Sequence, residues 1–226
     1  MALRRDPERT DAVFEVLDAL DGPTNETSFV EFARHPEGRK LLAERPLLLD
    51  TLSDHEALRQ LPEGSFGRAY LAFMEEAGLN AKDLVDAEIE SGTAAESDPD
   101  RQWLADRGRD SHDLWHVLTG YGRDEAGEIS LLAFTYANYP NLGIALILLV
   151  ATILGPWSPS FWWPRYIVQA YRRGRAAELD FAPYEEWLAL PLDEVRRRAK
   201  IVPPLEAHPG YGVVSASRGD EGFVAA

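Results

Sequence analysis

Four side chains that bind metal ions stand close together in the sequence: His112, Asp113, His116 and Glu128. The two histidines are four positions apart, so on a helix their rings share one face, one turn apart. Two imidazoles at this spacing can bind one metal ion, as in helix-borne HExxH sites. Asp113 stands where those sites carry a glutamate. Its shorter side chain is predicted either to ligate the metal or to accept a proton.

Glu128 is separated from His116 by a segment that includes Gly120, Gly122 and Gly127. These glycines give the backbone freedom to turn, so Glu128 is expected to open the next helix beside the two histidines. Two imidazoles and one or two carboxylates, with open coordination positions, suit zinc, manganese or ferrous iron. The sequence therefore predicts a divalent metal site, with the identity of the metal left open.

Composition narrows the function classes. The 226 residues carry a net charge of −15, and 45% of them are apolar. So acidic a chain repels phosphate backbones, which argues against nucleic acid as a partner. The chain contains no cysteine, which excludes disulfide scaffolds and cysteine-ligated zinc or iron–sulfur centres.

Helical spacing of apolar residues and scarce strand patterns predict an all-α fold, a single multi-helix domain with an apolar helical pocket. Residues 1–203 are expected to form this domain and residues 204–226 a flexible tail. Helices are expected at 11–20, from Ser28 through Ala33, at 68–77, from Trp103 to Leu118, and from near Glu128 onward. Gly78 is expected to end the 68–77 helix, Asp54 to cap a further helix, Pro46 to break the 41–52 segment, and 64–67 to form a loop.

One long stretch has no charge at all, from the residue after Glu128 to the residue before Arg165. Its apolar run Leu142–Leu154 has 13 residues and would measure about 20 Å as a helix, whereas a membrane span needs roughly 17 residues or more. It is read as a buried core helix, with the wall of an apolar cavity or a face dipping into a membrane as the alternative. The following segment, 165–200, holds eight bases and six acids, which suits either anionic lipid headgroups or a solvated helix face.

The pattern His-Asp-x-x-His, eleven residues and Glu resembles the signature of the ubiquinone (coenzyme Q) biosynthesis protein Coq4 family. His112, Asp113, His116 and Glu128 match it in type and spacing. Further likenesses are the 62–70 segment, the Gly-Glu-Ile step at 127–129 and the 170–176 and 187–201 segments. The resemblance covers roughly residues 8–203.

The resemblance implies an all-helical fold and a divalent metal held by the four motif residues. Zinc is the first candidate for this metal, and iron and manganese are the alternatives. It implies removal of a carboxylate and installation of a hydroxyl at carbon 1 of a polyprenylated 4-hydroxybenzoate-derived precursor. The expected partners are this quinone precursor, a membrane surface, and other quinone-biosynthesis proteins or a second copy of the chain. The start of the chain resembles no secretory signal or transit peptide. The expected location is therefore the cytoplasm of a bacterial-type cell, peripherally on the inner face of the cell membrane.

The candidate catalytic residues are Asp113 and Arg109. Arg109 lies one turn before His112 and is predicted either to hold the substrate carboxylate or to pair with a motif acid in a structural salt bridge, the latter being favoured. The alternative to a metal-dependent decarboxylase is a non-catalytic lipid-binding organiser of a quinone-biosynthesis complex, with a structural metal. A metal-dependent hydrolase is a weaker third reading, because Asp113 replaces the HExxH glutamate.

Overall fold

The computed structural model describes residues 26, 28–82, 98–154, 163–179 and 181–203. Within these ranges the secondary structure is helical, with no strand, which confirms the all-α prediction. The helices are α1 (Pro36–Glu44), α2 (Leu48–Ser53), α3 (His55–Arg59), α4 (Phe66–Ala77), α5 (Pro99–Asp110), α6 (His112–Thr119), α7 (Glu125–Tyr136), α8 (Leu142–Leu154), α9 (Trp163–Ala176), α10 (Tyr184–Trp187) and α11 (Leu192–Arg198). Residues 28–34 are also helical. The predicted helix at 11–20 and the 204–226 tail lie outside the described residues.

Local signals set several helix ends as predicted. Pro46 lies between α1 and α2, where the sequence required a break. The Asp54 carboxylate accepts from the Ala57 amide and so caps α3. Gly78 and Gly120 end α4 and α6 in the left-handed conformation that glycine adopts without strain.

Three predicted boundaries differ from the structure, and capping side chains account for two of them. The predicted 103–118 helix is interrupted at Ser111, between α5 and α6, while the hydrogen bonds from Ser111 N to Arg107 O and from Trp115 N to Ser111 O continue across the interruption. Helix α4 begins at Phe66, inside the predicted 64–67 loop, because Ser65 caps it. Helix α7 begins at Glu125, ahead of Glu128, because Asp124 accepts from the amides of the first turn.

The core lies where α4, α6 and α7 meet, and it is closed by the C-terminal helices. Its largest fully buried side chains include Tyr70, Phe66, Leu118 and Tyr121. Arg196 on α11 donates to the carbonyls of Val117 and Leu118, at 3.0 Å each. It thereby satisfies free acceptors in the last turn of α6, a helix of only eight residues.

Helix α8 has the predicted bounds but is buried on one side only. Leu148 reaches the core, whereas the opposite stripe is exposed. This apolar stripe consists of Leu142, Leu146, Leu149, Val150 and Ile153. The core-helix reading is therefore right for one face, and the other face is free for contact. In the described part of the chain, no helix combines the length and hydrophobicity needed to cross a bilayer.

Helix α9 crosses α7 at close range because residue 174 has no side chain. A Cβ built on Gly174 would lie 2.1 Å from Phe134 O and 2.8 Å from the Ala137 Cβ. Asn138 spans the same junction, donating to Phe134 O and to Gly174 O. The position of α7, and hence of Glu128, depends on this contact.

We expect Gly174→Ala to lower the free energy of unfolding by about 1–3 kcal/mol, the usual cost of overpacking a tight contact. Gly108→Ala is the matched control, since a Cβ there meets nothing within 4 Å. In the control, the better helix propensity of alanine should leave stability equal or up to about 1 kcal/mol higher. Urea unfolding followed by circular dichroism measures both. Equal stabilities for the two variants would contradict the close approach of α9 and α7.

Candidate metal centre

Helix α6 carries three of the four predicted side chains on one side. Ligand atoms of His112, Asp113 and His116 all lie within 4.8 Å of one another. The two imidazoles meet edge to face with their centroids 4.8 Å apart. The i, i+4 spacing thus produces the pairing that the sequence predicted.

Glu128 reaches this cluster from the first turn of α7. Its Oε1 lies 3.3 Å from His116 Nε2, and its Oε2 lies 3.7 Å from His112 Nε2. The turn between the helices is tight at Gly127, where a Cβ would lie 2.0 Å from Gly122 O. The structure therefore brings all four predicted residues together, and a side chain at position 127 would force α7 away from α6.

The orientation of the His116 ring is set by one backbone carbonyl. His116 is fully buried, and its Nδ1 lies 3.0 Å from Tyr121 O. Because a carbonyl only accepts, Nδ1 carries a proton, and in the neutral ring Nε2 then presents a lone pair. A backbone carbonyl in this role fixes the tautomer in metal sites.

The Nε2 atom of His116 is a buried acceptor without a hydrogen bond among the described residues. Its near neighbour, Glu128 Oε1, is itself an acceptor, so with a neutral His116 ring the 3.3 Å contact brings two lone pairs together. Buried polar atoms are almost always satisfied, and a cation would satisfy both of these. The donor set of two imidazoles and two carboxylates therefore fits a divalent metal.

Electrostatics favours the protonation states that bind metal. Desolvation and the neighbouring His116 lower the pKa of His112, against the opposing pull of Glu128 and Asp113. Desolvation acts to raise the pKa of Glu128. The contact with His116 and the nearby His112 and Arg123 outweigh it, so this pKa lies below its usual value. The lowered pKa values of His112 and Glu128 favour a neutral imidazole and an ionised carboxylate, the forms that ligate a metal.

The two arginines nearest the motif have different surroundings. Arg109 pairs with Asp106 and with Asp110, at 3.0 Å each, and with neither motif acid. Arg123 lies 3.5 Å from Asp113 and stacks on the Phe73 ring, which in turn stacks on His116. Sequence reasoning singled out Arg109, whose predicted pairing with a motif acid is wrong, and missed Arg123, which lies in the turn just before α7.

A separate cavity of about 1040 Å³ opens on another side of α6. Trp115 and Ser111 line it from α6, and Gly108 and Arg109 line it from α5. Of the residues of α8, Ile144 alone is in its lining. Other lining residues include the aromatic side chains of Phe29, Phe32, Tyr139, Phe181 and Tyr184. Charged side chains, among them Glu31, Arg34 and Arg107, line the cavity as well, and only one residue of Leu142–Leu154 contributes to it among the described residues. The apolar pocket therefore stays a prediction.

A family model described as coenzyme Q (ubiquinone) biosynthesis protein Coq4 matches residues 1–205. The chain is a member of the Coq4 family. It is 31% identical over 151 residues to the mitochondrial ubiquinone biosynthesis protein COQ4 of Coprinopsis cinerea, covering 67% of this chain and 48% of that protein. It is 29% identical over 207 residues to the mitochondrial coq4 protein of Pyrenophora tritici-repentis, covering 88% and 68%.

This Coq4-family chain thus spans about half the length of the first of these relatives. A solved structure from Nostoc punctiforme has the same fold, with a TM-score of 0.59 over 85% of this chain and 89% of that one. At 24% identity this likeness concerns the fold alone. The resemblance inferred from the motif is confirmed at the level of the family.

We expect His116→Ala and Glu128→Gln each to weaken binding of a divalent cation at least about tenfold, because each removes a ligand. His55→Ala is the control, since His55 contacts Asn80 and lies outside the cluster. Metal content after dialysis against Zn²⁺, measured by elemental analysis, gives the result. Glu128→Gln keeps the size of the side chain, so full zinc content in that variant would contradict the four-residue site.

Proposed function

We propose that this chain is a metal-dependent decarboxylase of ubiquinone biosynthesis. Its substrate would be a polyprenylated precursor derived from 4-hydroxybenzoate, and the reaction would occur at ring carbon 1. The observation that carries the proposal is the buried lone pair of His116 facing the Glu128 carboxylate, beside two further ligands. Family membership narrows the pathway to ubiquinone biosynthesis.

Four residues would hold the metal: His112, Asp113, His116 and Glu128. A bound divalent metal would supply a positive charge that anchors a carboxylate or phenolate and stabilises developing negative charge. Zinc is the first expectation, and the same ligands suit iron or manganese. The oxidative form of the reaction needs a redox-active metal or a ring that reacts directly with dioxygen.

The side chains are arranged to leave one side of the centre open. His116 is fully enclosed, whereas the His112 and Glu128 side chains are 43% and 39% exposed. A structural site is usually closed by protein ligands, and a catalytic one keeps an accessible position. The exposure of these two side chains therefore supports catalysis over a purely structural metal.

The reaction breaks the bond between ring carbon 1 and its carboxylate, which leaves as carbon dioxide. The bonding electron pair stays on the ring, where a proton takes the vacated position. In the oxidative form dioxygen supplies a hydroxyl oxygen instead, and an external two-electron reductant converts the second oxygen to water. Asp113, 15% exposed and beside His112, is the candidate to ligate or to accept a proton.

A non-catalytic organiser is the second candidate, and the cavity supports it. The cavity is lined by Trp115 and Ser111 of α6, whereas His112 and His116 point to a different side. An isoprenoid held there would gain about 0.8 kcal/mol for each buried methylene without touching the metal centre. Lipid storage and metal chemistry are therefore separable in this fold.

A membrane surface is the proposed partner of α8 and α9. The exposed apolar stripe of α8 adjoins α9, which presents Val168 and Tyr171 together with the exposed Arg165, Arg172 and Arg175. No acidic residue lies between Glu128 and Glu178, in a chain of net charge −15. Apolar side chains next to arginines that form no ion pair with a described acidic residue match the interface of an anionic leaflet.

The decarboxylase is tested with metal-loaded protein and a prenylated 4-hydroxybenzoate-type substrate labelled in its carboxyl carbon. Wild type and His55→Ala should release labelled carbon dioxide equally, and Glu128→Gln should be at least about 100-fold slower, the usual effect of losing an essential electrostatic group. If metal-loaded wild type retains lipid by native mass spectrometry yet releases no label, the organiser replaces the enzyme.

The membrane surface is tested by flotation with vesicles containing anionic lipid. We expect Leu149→Ser with Ile153→Ser to reduce the bound fraction at least about tenfold, since each buried aliphatic side chain contributes about 1.5–3 kcal/mol. Leu47→Ser is the matched control, because Leu47 is 64% exposed but lies outside the stripe. Equal loss in the control, or no loss in the double variant, would rule out α8 as the contact.

A further inference from the structure

Arg123 is the only described arginine that forms an ion pair with a motif acid, and its charge remains after the metal ligands are accounted for. Asp113 and Glu128 together neutralise a divalent cation, and ligating imidazoles are neutral. The phenol of Tyr70 adds no charge, because burial and the nearby Asp113 raise its pKa. A metal centre of these four ligands alone is electrically neutral, and with Arg123 it is positive.

The position of Arg123 is fixed by the C-terminal half of α4. Its NH1 donates to Phe73 O at 2.6 Å and its NH2 to Met74 Sδ at 3.1 Å. Its guanidinium carbon lies 3.4 Å above the centre of the Phe73 ring. A guanidinium held over an aromatic face keeps its charge, and little rotamer entropy is lost when it binds a further group.

Donors of Arg123 remain available for a ligand. Its Nε makes no hydrogen bond to any described residue, and the Asp113 contact at 3.5 Å is long for a hydrogen bond. The Arg123 side chain is 26% exposed and lies next to Asp113, in the same residue cluster as the partly exposed His112 and Glu128 side chains. A planar guanidinium recognises a carboxylate better than any other side chain, because two parallel N–H groups match its two oxygens.

We propose that Arg123 forms an anion subsite of the metal centre and binds the carboxylate of an aromatic acid. This proposal rests on the proposed function, since that carboxylate is the group which the reaction removes. Arg109, the arginine that the sequence favoured, is held by Asp106 and Asp110 and does not share this position. The subsite therefore distinguishes acids from their neutral analogues even before any reaction occurs.

The competing explanation is that Arg123 only fastens the turn before α7 to α4. The two roles predict opposite effects on cation binding. Removal of a positive charge near the ligands strengthens binding of a cation and weakens binding of an anion. Loss of a structural fastening loosens the ligand cluster and weakens both.

The experiment uses full-length protein loaded with Co²⁺, whose visible spectrum reports ligands at the metal. Wild type, Arg123→Met, Arg123→Lys and the control Arg109→Met are titrated with 4-hydroxybenzoate and with its neutral methyl ester. Metal affinity is measured by chelator competition, and stability by urea unfolding.

We expect wild type to bind the acid at least about tenfold more tightly than the ester. Arg123→Met should lose this preference while holding Co²⁺ at least as tightly as wild type. Arg123→Lys should recover part of the preference, and Arg109→Met should retain all of it.

Three results would overturn the subsite: no acid preference in wild type, an unchanged preference in Arg123→Met, or a parallel fall of metal and acid affinity. If Arg123→Met fails to fold, Arg123→Gln replaces it, and the wild-type comparison of acid with ester still decides. The subsite and the proposed reaction fail separately. An Arg123-dependent acid preference without release of carbon dioxide removes only the decarboxylase, whereas carbon dioxide release at an unchanged rate in Arg123→Met removes only the subsite.

Discussion

The hydrogen bond from His116 Nδ1 to Tyr121 O is the contact on which the site depends. It holds a fully buried imidazole with its lone pair directed at Glu128, a side chain from another helix. Without it the ring could turn, and the 3.3 Å distance between His116 Nε2 and Glu128 Oε1 would not be fixed. The tight turn between α6 and α7 places the Tyr121 carbonyl at Nδ1 of His116 and the Glu128 carboxylate at Nε2 of the same ring.

Tyr121 also links the metal centre to the helix proposed to face the membrane. Its carbonyl binds His116, and its buried hydroxyl accepts a hydrogen bond from Arg173 of α9 at 3.1 Å. Gly174, the next residue of α9, packs on the α7 backbone at Phe134 O. Helix α9 therefore contacts both the turn that orients His116 and the helix that carries Glu128, and these contacts join its exposed arginines to the site.

The motif could be predicted from the sequence because its information is local. Spacing of four on a helix fixes the relation of His112 to His116, and glycines signal the turn that returns Glu128. The helix ends at Pro46, Asp54, Gly78 and Gly120 are also local, and these were predicted.

What could not be predicted depends on tertiary contacts. Arg109 and Arg123 look equally suitable in the sequence, and only the partners brought by α4 and α5 separate them. Likewise the sequence of α8 does not indicate which face packs on the core, because apolar side chains occur all around the helix. The periodicity of apolar residues also gives no sign of the interruption between α5 and α6 at Ser111.

Gly108 has a meaning beyond its use as a control for packing. It sits inside a helix, where glycine weakens the element, yet no atom occupies the space that its side chain would fill. Gly108 lines the cavity, so a side chain at position 108 would extend into it. Replacement by alanine, valine and leucine would reduce the cavity volume in successive steps. One position of α5 thus sets how large a molecule the cavity holds, independently of the metal-binding face of α6.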